Sequence, residues 1–408
     1  MPPSEQDGLV GRLTRYPLDR YPVQHATTQF HLGSVLLQAG QVPSALRALQ
    51  AAHAVFSGAG MRLETAKTAV MVGVALRESG RLEDAAETFR VAAEELRELD
   101  QPTEQAAATY DLGLVLQADG DHAGAQQAWA AARELFLAAG YPGQAAAAAR
   151  DHGASLLSAG DAAGALPLLV EAASLAQRGG DDVGTAAAAN VLGLTHLALG
   201  DGGSAVAVLR RALGFAPRTT RPADHAMVKA NLSLALEQTG EPARARLAAA
   251  QALVVPGAAA PVRAQAAELL TRLGGPQPGD LASVLEVEER DQWPAVVREE
   301  VVRVLERGPA ERRRLMLELV DVLLARPGTS YDLAEALLQV VLELPPRPYG
   351  QGLTALVEVC GALDEEQAER LRSVVGSAMS RFAIPQWQRL SASLNAASAE
   401  AGQPATWR

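Results

Sequence analysis

Between residues 25 and 255 the apolar positions return every forty residues at helical spacing. Leu32, Val72, Leu112, His152, Leu192 and Leu232 form one column, and four residues on Leu36, Leu76, Leu116, Leu156, His196 and Leu236 form another. Two columns related as i and i+4 make one buried stripe on a helix. Directly after the first column comes a small one, Gly33, Gly73, Gly113, Gly153, Gly193 and Ser233. Seven residues later stand Gly40, Gly80, Gly120, Gly160, Gly200 and Gly240. This second column predicts helix ends, because glycine enters the left-handed conformation that a Cβ penalises. Asp121, Asp161 and Asp201 follow it as N-cap acceptors for a second helix. Pro43 and Pro242 fall in that helix's first turn, where a missing N–H costs nothing.

The second helix carries two alanine columns. Ala45, Ala85, Ala125, Ala165, Ala205 and Ala245 make the first, and Ala52, Ala92, Ala132, Ala172, Ala212 and Ala252 the second. Between them lies a bulky column, Leu49, Phe89, Trp129, Leu169, Leu209 and Ala249. Alanine at the closest approach lets antiparallel helices draw together, and large beside small lets layers interdigitate. Each unit is a helix hairpin that cannot bury its apolar faces alone and must stack. The spacing predicts an N-terminal cap segment over 1–24, then hairpins over about 25–64, 65–104, 105–144, 145–184, 185–224 and 225–255.

The joint spacing resembles the tetratricopeptide repeat (TPR), in the forty-residue variety where an Asn-Leu-Gly triplet recurs in the first helix. Here the Asn position holds His31, Met71, Asp111, Asp151, Val191 and Asn231. The resemblance implies an all-α fold: a right-handed superhelix (α-solenoid) of six hairpins whose first helices line a concave peptide groove. Three positions before the first glycine, that face carries Phe30, Val70, Tyr110, Arg150, Asn190 and Ala230. One after, it carries Ser34, Val74, Leu114, Ala154, Leu194 and Leu234; four after, Leu37, Arg77, Gln117, Leu157, Leu197 and Glu237. The surface is mostly apolar and small with isolated polar groups, and lacks the Lys, Asn and Arg set of the carboxylate-binding members. It suits an apolar or amphipathic segment of a protein or peptide partner, the chain's own C-terminal part being the other possible cover. The expected partner-binding residues are Phe30, Lys67, Arg77, Tyr110, Gln117, Arg150, Asn190 and Asn231, with Tyr110, Arg150, Asn190 and Asn231 setting specificity.

The register stops after Ala252. APVRAQAAELLTRLG (260–274) reads as a capping helix within 256–274, and GGPQPGD (274–280) as a domain boundary. From 281 to 408 helices alternate with punctuation. WPAVVREEVVRVLERG runs to Gly308, PAERRRLMLELVDVLLARPG to an Arg326-Pro327-Gly328 stop, then SYDLAEALLQVVLELPPRP, QGLTALVEVCGALD, DEEQAERLRSVVGSAMSRFAI and PQWQRLSASLNAASAEAG. An all-α bundle or an irregular helical-pair array is expected. LMLELVDVLL, apolar around most of its circumference, should be central.

Composition narrows the function. The net charge of −11 is spread evenly, with no basic half or tail, so a phosphate grip on nucleic acid has no footprint. Cys360 is the only cysteine, which excludes an intrachain disulfide framework or a cysteine-built metal site. The N-terminus lacks a basic flank followed by an apolar run, and apolar stretches such as ALLQVVLEL stop short of a membrane span. A cytoplasmic location without membrane contact is expected. Lys67 and Lys229 are the only lysines among abundant Ala, Gly and Pro, the mark of a GC-rich bacterial genome.

Candidate chemistry is sparse. No i, i+4 pair of histidines exists, and His152 and His196 read as core imidazoles bonded to backbone. Arg312, Arg313 and Arg314, flanked by Glu306, Glu311 and Glu318, read as a solvated helix face. Cys360 sits in an apolar helix as core filler. Glycines close helices rather than follow strands, so no phosphate-cradling loop is present. No catalytic, cofactor-binding or metal-binding residue is expected. The first function to expect is a non-enzymatic interaction scaffold with a peptide or helix in the groove and a second partner on the C-terminal domain. The second is a ligand- or peptide-responsive regulator whose superhelix controls that domain.

Overall fold

The computed structural model describes residues 5–277, 279–305, 308–325, 328–404 and 406–407. Among these there are twenty-one α-helices and no strand, so the fold is all-α. The chain divides into two compact units, Met1–Asp201 and Gly202–Arg408.

The first unit runs α1 (Glu5–Arg15), α2 (Pro22–Gln38), α3 (Val42–Gly58), α4 (Arg62–Glu78), α5 (Leu82–Glu98), α6 (Pro102–Asp119), α7 (His122–Ala138), α8 (Pro142–Ser158), α9 (Ala162–Arg178) and α10 (Asp182–Ala198). A helix thus begins every twenty residues, and the forty-residue period is two rods of equal length. Each rod ends the same way. Gly40 and its successors at 60, 80, 120, 140, 160, 180 and 200 all have φ between +68° and +90°. After α2, Gly40 N–H donates to the Leu37 carbonyl at 2.9 Å and Gln41 N–H to that of Leu36 at 2.8 Å, the paired bonds of a Schellman stop. The forty-residue columns contain only alternate turns. The turns between hairpins use the same device, and at one of them Asp100 adopts it with φ +53°.

N-caps follow a finer rule than an Asp alone. Asp121, Asp161 and Asp181 accept from the backbone N–H of Gly124, Gly164 and Gly184 at 2.8–2.9 Å. A Cβ on those glycines would lie 2.2–2.3 Å from the capping carboxylate, so Asp-x-x-Gly leaves room for the cap. Asp201 instead faces His196, Nδ1 to Oδ2 at 3.4 Å.

The columns pack as their sizes demand. Every alanine in the two alanine columns is at most 1% exposed. The first glycine column is where the bulky column lands. A Cβ on Gly33, Gly73, Gly113 or Gly153 would lie 2.5–2.8 Å from Leu49, Phe89, Trp129 or Leu169 respectively. In the sixth hairpin the bulk is exchanged: Ser233 replaces glycine, Ala249 replaces the large residue, and both are fully buried. The histidines in the core columns depart from expectation. His152 and His196 are half-buried, not enclosed, and neither ring has a backbone partner. His152 Nδ1 has no hydrogen-bond partner, and burial, then Arg133, pushes its pKa down.

The second unit runs α11 (Gly202–Phe215), α12 (Pro222–Gln238), α13 (Pro242–Leu253), α14 (Ala260–Arg272), α15 (Asp280–Val287), α16 (Trp293–Leu305), α17 (Pro309–Ala325), α18 (Ser330–Glu343), α19 (Pro346–Cys360), α20 (Glu365–Met379) and α21 (Ile384–Glu400). α12 packs on α11, α13 and α14, and α15 packs on α13. Beyond it contacts skip one helix, α16 to α18 to α20 and α17 to α19 to α21. That is an array of helical pairs in two layers. α17 touches helices of both layers and buries Met316, Leu319, Val320, Leu323 and Leu324, which makes it central.

Two local readings change. Residues 280–287 form a helix, and Asp280 at its start accepts bidentately from Arg246 of α13. Pro346 begins α19 instead of closing α18, because proline suits a first turn, and the same helix buries Tyr349. Arg313 pairs with Glu358 of α19 at 3.4 Å; Glu306 and the Glu311 side chain lie outside the described residues, as does the Arg326-Pro327 stop. Cys360 is buried, and burial pushes its thiol up, with Arg372 Nη1 3.6 Å from Sγ.

Two features stood outside any column. Segments 16–25 (YPLDRYPVQH) and 216–225 (APRTTRPADH) share a wider entrance turn, in which the histidine Nδ1–H donates to the carbonyl nine residues earlier. His25 reaches Tyr16 at 2.8 Å, and buried His225 reaches Ala216 at 2.9 Å. At the far end Trp407 is 1% exposed. Its indole N–H donates to Ser398 at 2.8 Å, and its carbonyl accepts from Ser391 and Asn395 at 2.8 and 3.1 Å.

Candidate functional site on the first helices

The first helices of the hairpins in the first unit are α2, α4, α6, α8 and α10. Their face away from the core stripe follows from the 3.6-residue period: positions three before, one after and four after the first glycine fall together. Nearly all of these side chains are half-buried, among them Val70, Val74, Leu114, Leu157 and Leu194. Phe30 lies edge-on to His31 with ring centroids 5.6 Å apart.

The polar members are engaged from repeat to repeat. Lys67 Nζ lies 2.8 Å from Glu104, and Arg77 Nη1 donates to Asp111 at 3.0 Å. Tyr110 OH donates to Asp151 Oδ2 at 2.6 Å, while Arg150 Nε holds the other oxygen at 2.8 Å. Gln117 Oε1 accepts from Ser155 at 2.9 Å. Asn190 is buried. In the second unit Asn231 is also buried and accepts from Gln265 at 3.0 Å, and Arg272 forks onto Glu237 at 2.6 and 2.8 Å. The structure therefore gives Lys67, Arg77, Tyr110 and Gln117 partners one repeat away.

Burial sets the electrostatics of this ladder. It pushes the Asp111 carboxyl up, against the opposing pull of Arg77. It also raises the Tyr110 phenol, an effect to which the charge and hydrogen bond of Asp151 add. At the more exposed rungs the hydrogen bond dominates: Lys67 lowers Glu104 and Arg272 lowers Glu237. The partners Glu104, Asp111, Asp151 and Ser155 are the residues the sequence reading passed over. Asp111 and Asp151 occupy the place of the Asn in the Asn-Leu-Gly triplet, and a base or phenol about one period from a carboxylate was the available signal. Among the described residues no group of three or more His, Cys, Asp or Glu is placed to hold a metal ion, and no helix is long and apolar enough to cross a membrane.

Residues 144–218, from α8 through the turn after α11, match the family model described as Tetratricopeptide repeat. Over these residues the chain carries tetratricopeptide repeats. The TPR hairpins are accompanied by likeness to several solved structures. BtubC (BKLC) from P. vanneervenii is 17% identical over 59% of this chain and 93% of its own, with a TM-score of 0.46. The apo form of the quorum sensor NprR from B. thuringiensis is 13% identical over 78% and 87%, with a TM-score of 0.47. The apo form of RapI is 17% identical over 60% and 93%, with a TM-score of 0.44. No curated protein sequence matches the chain.

Proposed function

We propose that this TPR protein is a non-enzymatic interaction scaffold whose first-helix face takes an apolar or amphipathic segment of another protein. The supporting observation is the division of labour on that face. Its polar groups are spent between repeats, as in Arg77–Asp111 and Tyr110–Asp151, and half-buried apolar side chains such as Phe30, Val74 and Leu114 remain for a partner. A segment with an apolar stripe would bury surface there without stranding a charge. In this reading the six hairpins over 25–255 form the recognition module, 256–274 the cap, and 281–408 a second docking body. Phe30, Lys67, Arg77, Tyr110, Gln117 and Arg150 frame the groove of the first unit, while Asn190 and, in the second unit, Asn231 are buried beneath their faces. The ligand-responsive alternative draws on one feature, a cavity of about 610 Å³ within the second unit around Lys229, lined by Arg210, Arg218, Arg244 and Arg298 as well as Glu288 and Glu299.

The test compares proteins retained by the wild-type chain with those retained by Tyr110→Ala/Arg150→Ala, after melting curves confirm that the variant folds. The scaffold reading expects at least one partner to be lost from the variant and recovered by a Tyr110→Phe single variant, which keeps the ring. Identical partner sets would remove this face from the function.

A further inference from the structure

Helices α11, α12, α13, α15 and α16 of the second unit line a cavity of about 610 Å³. That size is typical of small-molecule sites, which run roughly 300–1,000 Å³. Its apolar wall includes Leu213, Leu232, Leu236, Leu247 and Val296. One part of the lining differs. His225 and Lys229, four residues apart on α12, share a helix face, and Glu299 of α16 meets them there. Leu232 and Leu236 continue that face, three and seven residues beyond Lys229.

The hydrogen-bonding capacity of this trio is only partly used. The His225 side chain is 5% exposed, gives Nδ1 to the Ala216 carbonyl at 2.9 Å, and brings Nε2 to 3.4 Å from Glu299 Oε1 without a hydrogen bond. Glu299 Oε2 is buried and accepts no hydrogen bond; Arg218 stands 4.0 Å from it, too far for one. Lys229 has three donors and places one, on Gln251 Oε1 at 2.9 Å. Glu299 is the strongest opposite charge acting on Lys229, and Lys229 on Glu299, yet no hydrogen bond closes the pair. Burial pushes the Lys229 ammonium down and the Glu299 charge opposes it. Against burial, Lys229, then His225 and Arg218, hold the Glu299 carboxyl at about 2, so it is ionised at neutral pH. Open donors and an open acceptor thus lie side by side at the foot of a leucine wall. Unplaced buried capacity of this kind is costly to folding, and a polar group that both donates and accepts recovers the cost.

We propose that this cavity binds a zwitterionic α-amino acid with a large apolar side chain, its carboxylate on Lys229, its ammonium on Glu299 Oε2 and its side chain along Leu232, Leu236 and Leu247. Such a ligand brings no net charge, so its selection rests on the two open groups and not on the charge balance of the lining, where arginines also pair with Glu241, Glu288 and Glu343. Leu236 lies about 10 Å along the helix axis from Lys229, room for an aromatic or long aliphatic side chain. The assignment is independent of the first-helix groove, and neither reading falls with the other.

Calorimetric titration of the full chain with L-phenylalanine tests it. Glycine keeps only the head, 3-phenylpropanoate lacks the ammonium, and 2-phenylethylamine lacks the carboxylate. Saturable binding of phenylalanine at one site per chain is expected, with all three analogues weaker by at least about tenfold. Glu299→Gln should erase the preference over 3-phenylpropanoate, and Lys229→Met the preference over 2-phenylethylamine, a split that a merely structural role would not produce. If either variant fails to fold, Val296→Trp on the opposite wall fills the cavity without removing a charge and should abolish binding. The proposal is overturned if phenylalanine does not saturate, as for a cavity that holds only water, if any analogue binds equally well, or if the variants keep the wild-type affinity and preferences.

Discussion

At the scale of single residues the glycine and bulky columns are one interaction seen from two helices. A Cβ at position 113 would sit 2.5 Å from Trp129 Nε1, so even Gly113→Ala forces the indole to move. Overpacking of this kind costs about 1–3 kcal/mol. In a Trp129→Ala background the same change should cost almost nothing, because Ser233 with Ala249 already shows the exchanged pair. A double-mutant cycle in urea checks this, and additive costs would refute the pairing. Glu299 makes a prediction of another kind. Burial pushes its carboxyl up, but Lys229, His225 and Arg218 more than offset that and hold it at about 2 against an ordinary 4.5. A depressed acid contributes its stability in full above pH 4.5 and loses it as the pH falls toward 2. Glu299→Gln should therefore melt lower than wild type at pH 7, with the gap narrowing below pH 4.5. Melting curves offset equally at every pH would contradict the assignment.

At the scale of elements, equal helices with left-handed stops set the geometry. Asp100 is the one described non-glycine residue with positive φ. The left-handed region costs a residue with a Cβ roughly 1–2 kcal/mol. Glycine gives back roughly 0.5–1 kcal/mol through its freer unfolded chain. Asp100→Gly is thus expected to stabilise the array by about 0.5–1 kcal/mol, read as a higher urea midpoint; a lower midpoint would show that the aspartate earns its place some other way. The caps add a second check. Asp161→Ala removes the acceptor for Gly164 N–H and should cost about 1 kcal/mol, whereas Gly164→Ala in that background should cost less than in the wild type, since the carboxylate it crowds is gone.

At the scale of the whole molecule, the packing of residues 406–407 against α21 is a feature of the second compact unit. In the second unit Trp407 fills a core position and its backbone is bound to Asn395. Trp407→Ala should cost about 3–5 kcal/mol and raise amide exchange in α21, whose Ser391, Asn395 and Ser398 hold the tryptophan. Protection in α21 unchanged by the substitution would mean that the tail merely rests on the array. The charge distribution also belongs to this scale: an acidic chain gathers five bases around one cavity, which no local tally of residues reveals.

Much of the architecture was readable before any coordinates. Columns of Leu, Gly and Ala at a period of forty specify helices, their stops and their closest approaches, because helical burial and left-handed turns depend on neighbours within a few residues. The turns between hairpins escaped because half of the glycines sit midway between the columns. On the candidate site, periodicity says which positions share a helix face, but the occupation of Lys67, Arg77, Tyr110 and Gln117 was not foreseen. Their partners lie 34 to 41 residues along the chain, and only stacking brings them within bonding distance. The same holds for His225 with Glu299, for Trp407 against α21, and for the cavity around Lys229. Local spacing decides which backbone segments coil and where they stop; which polar side chains are left without a partner is decided only when distant segments meet and exclude water.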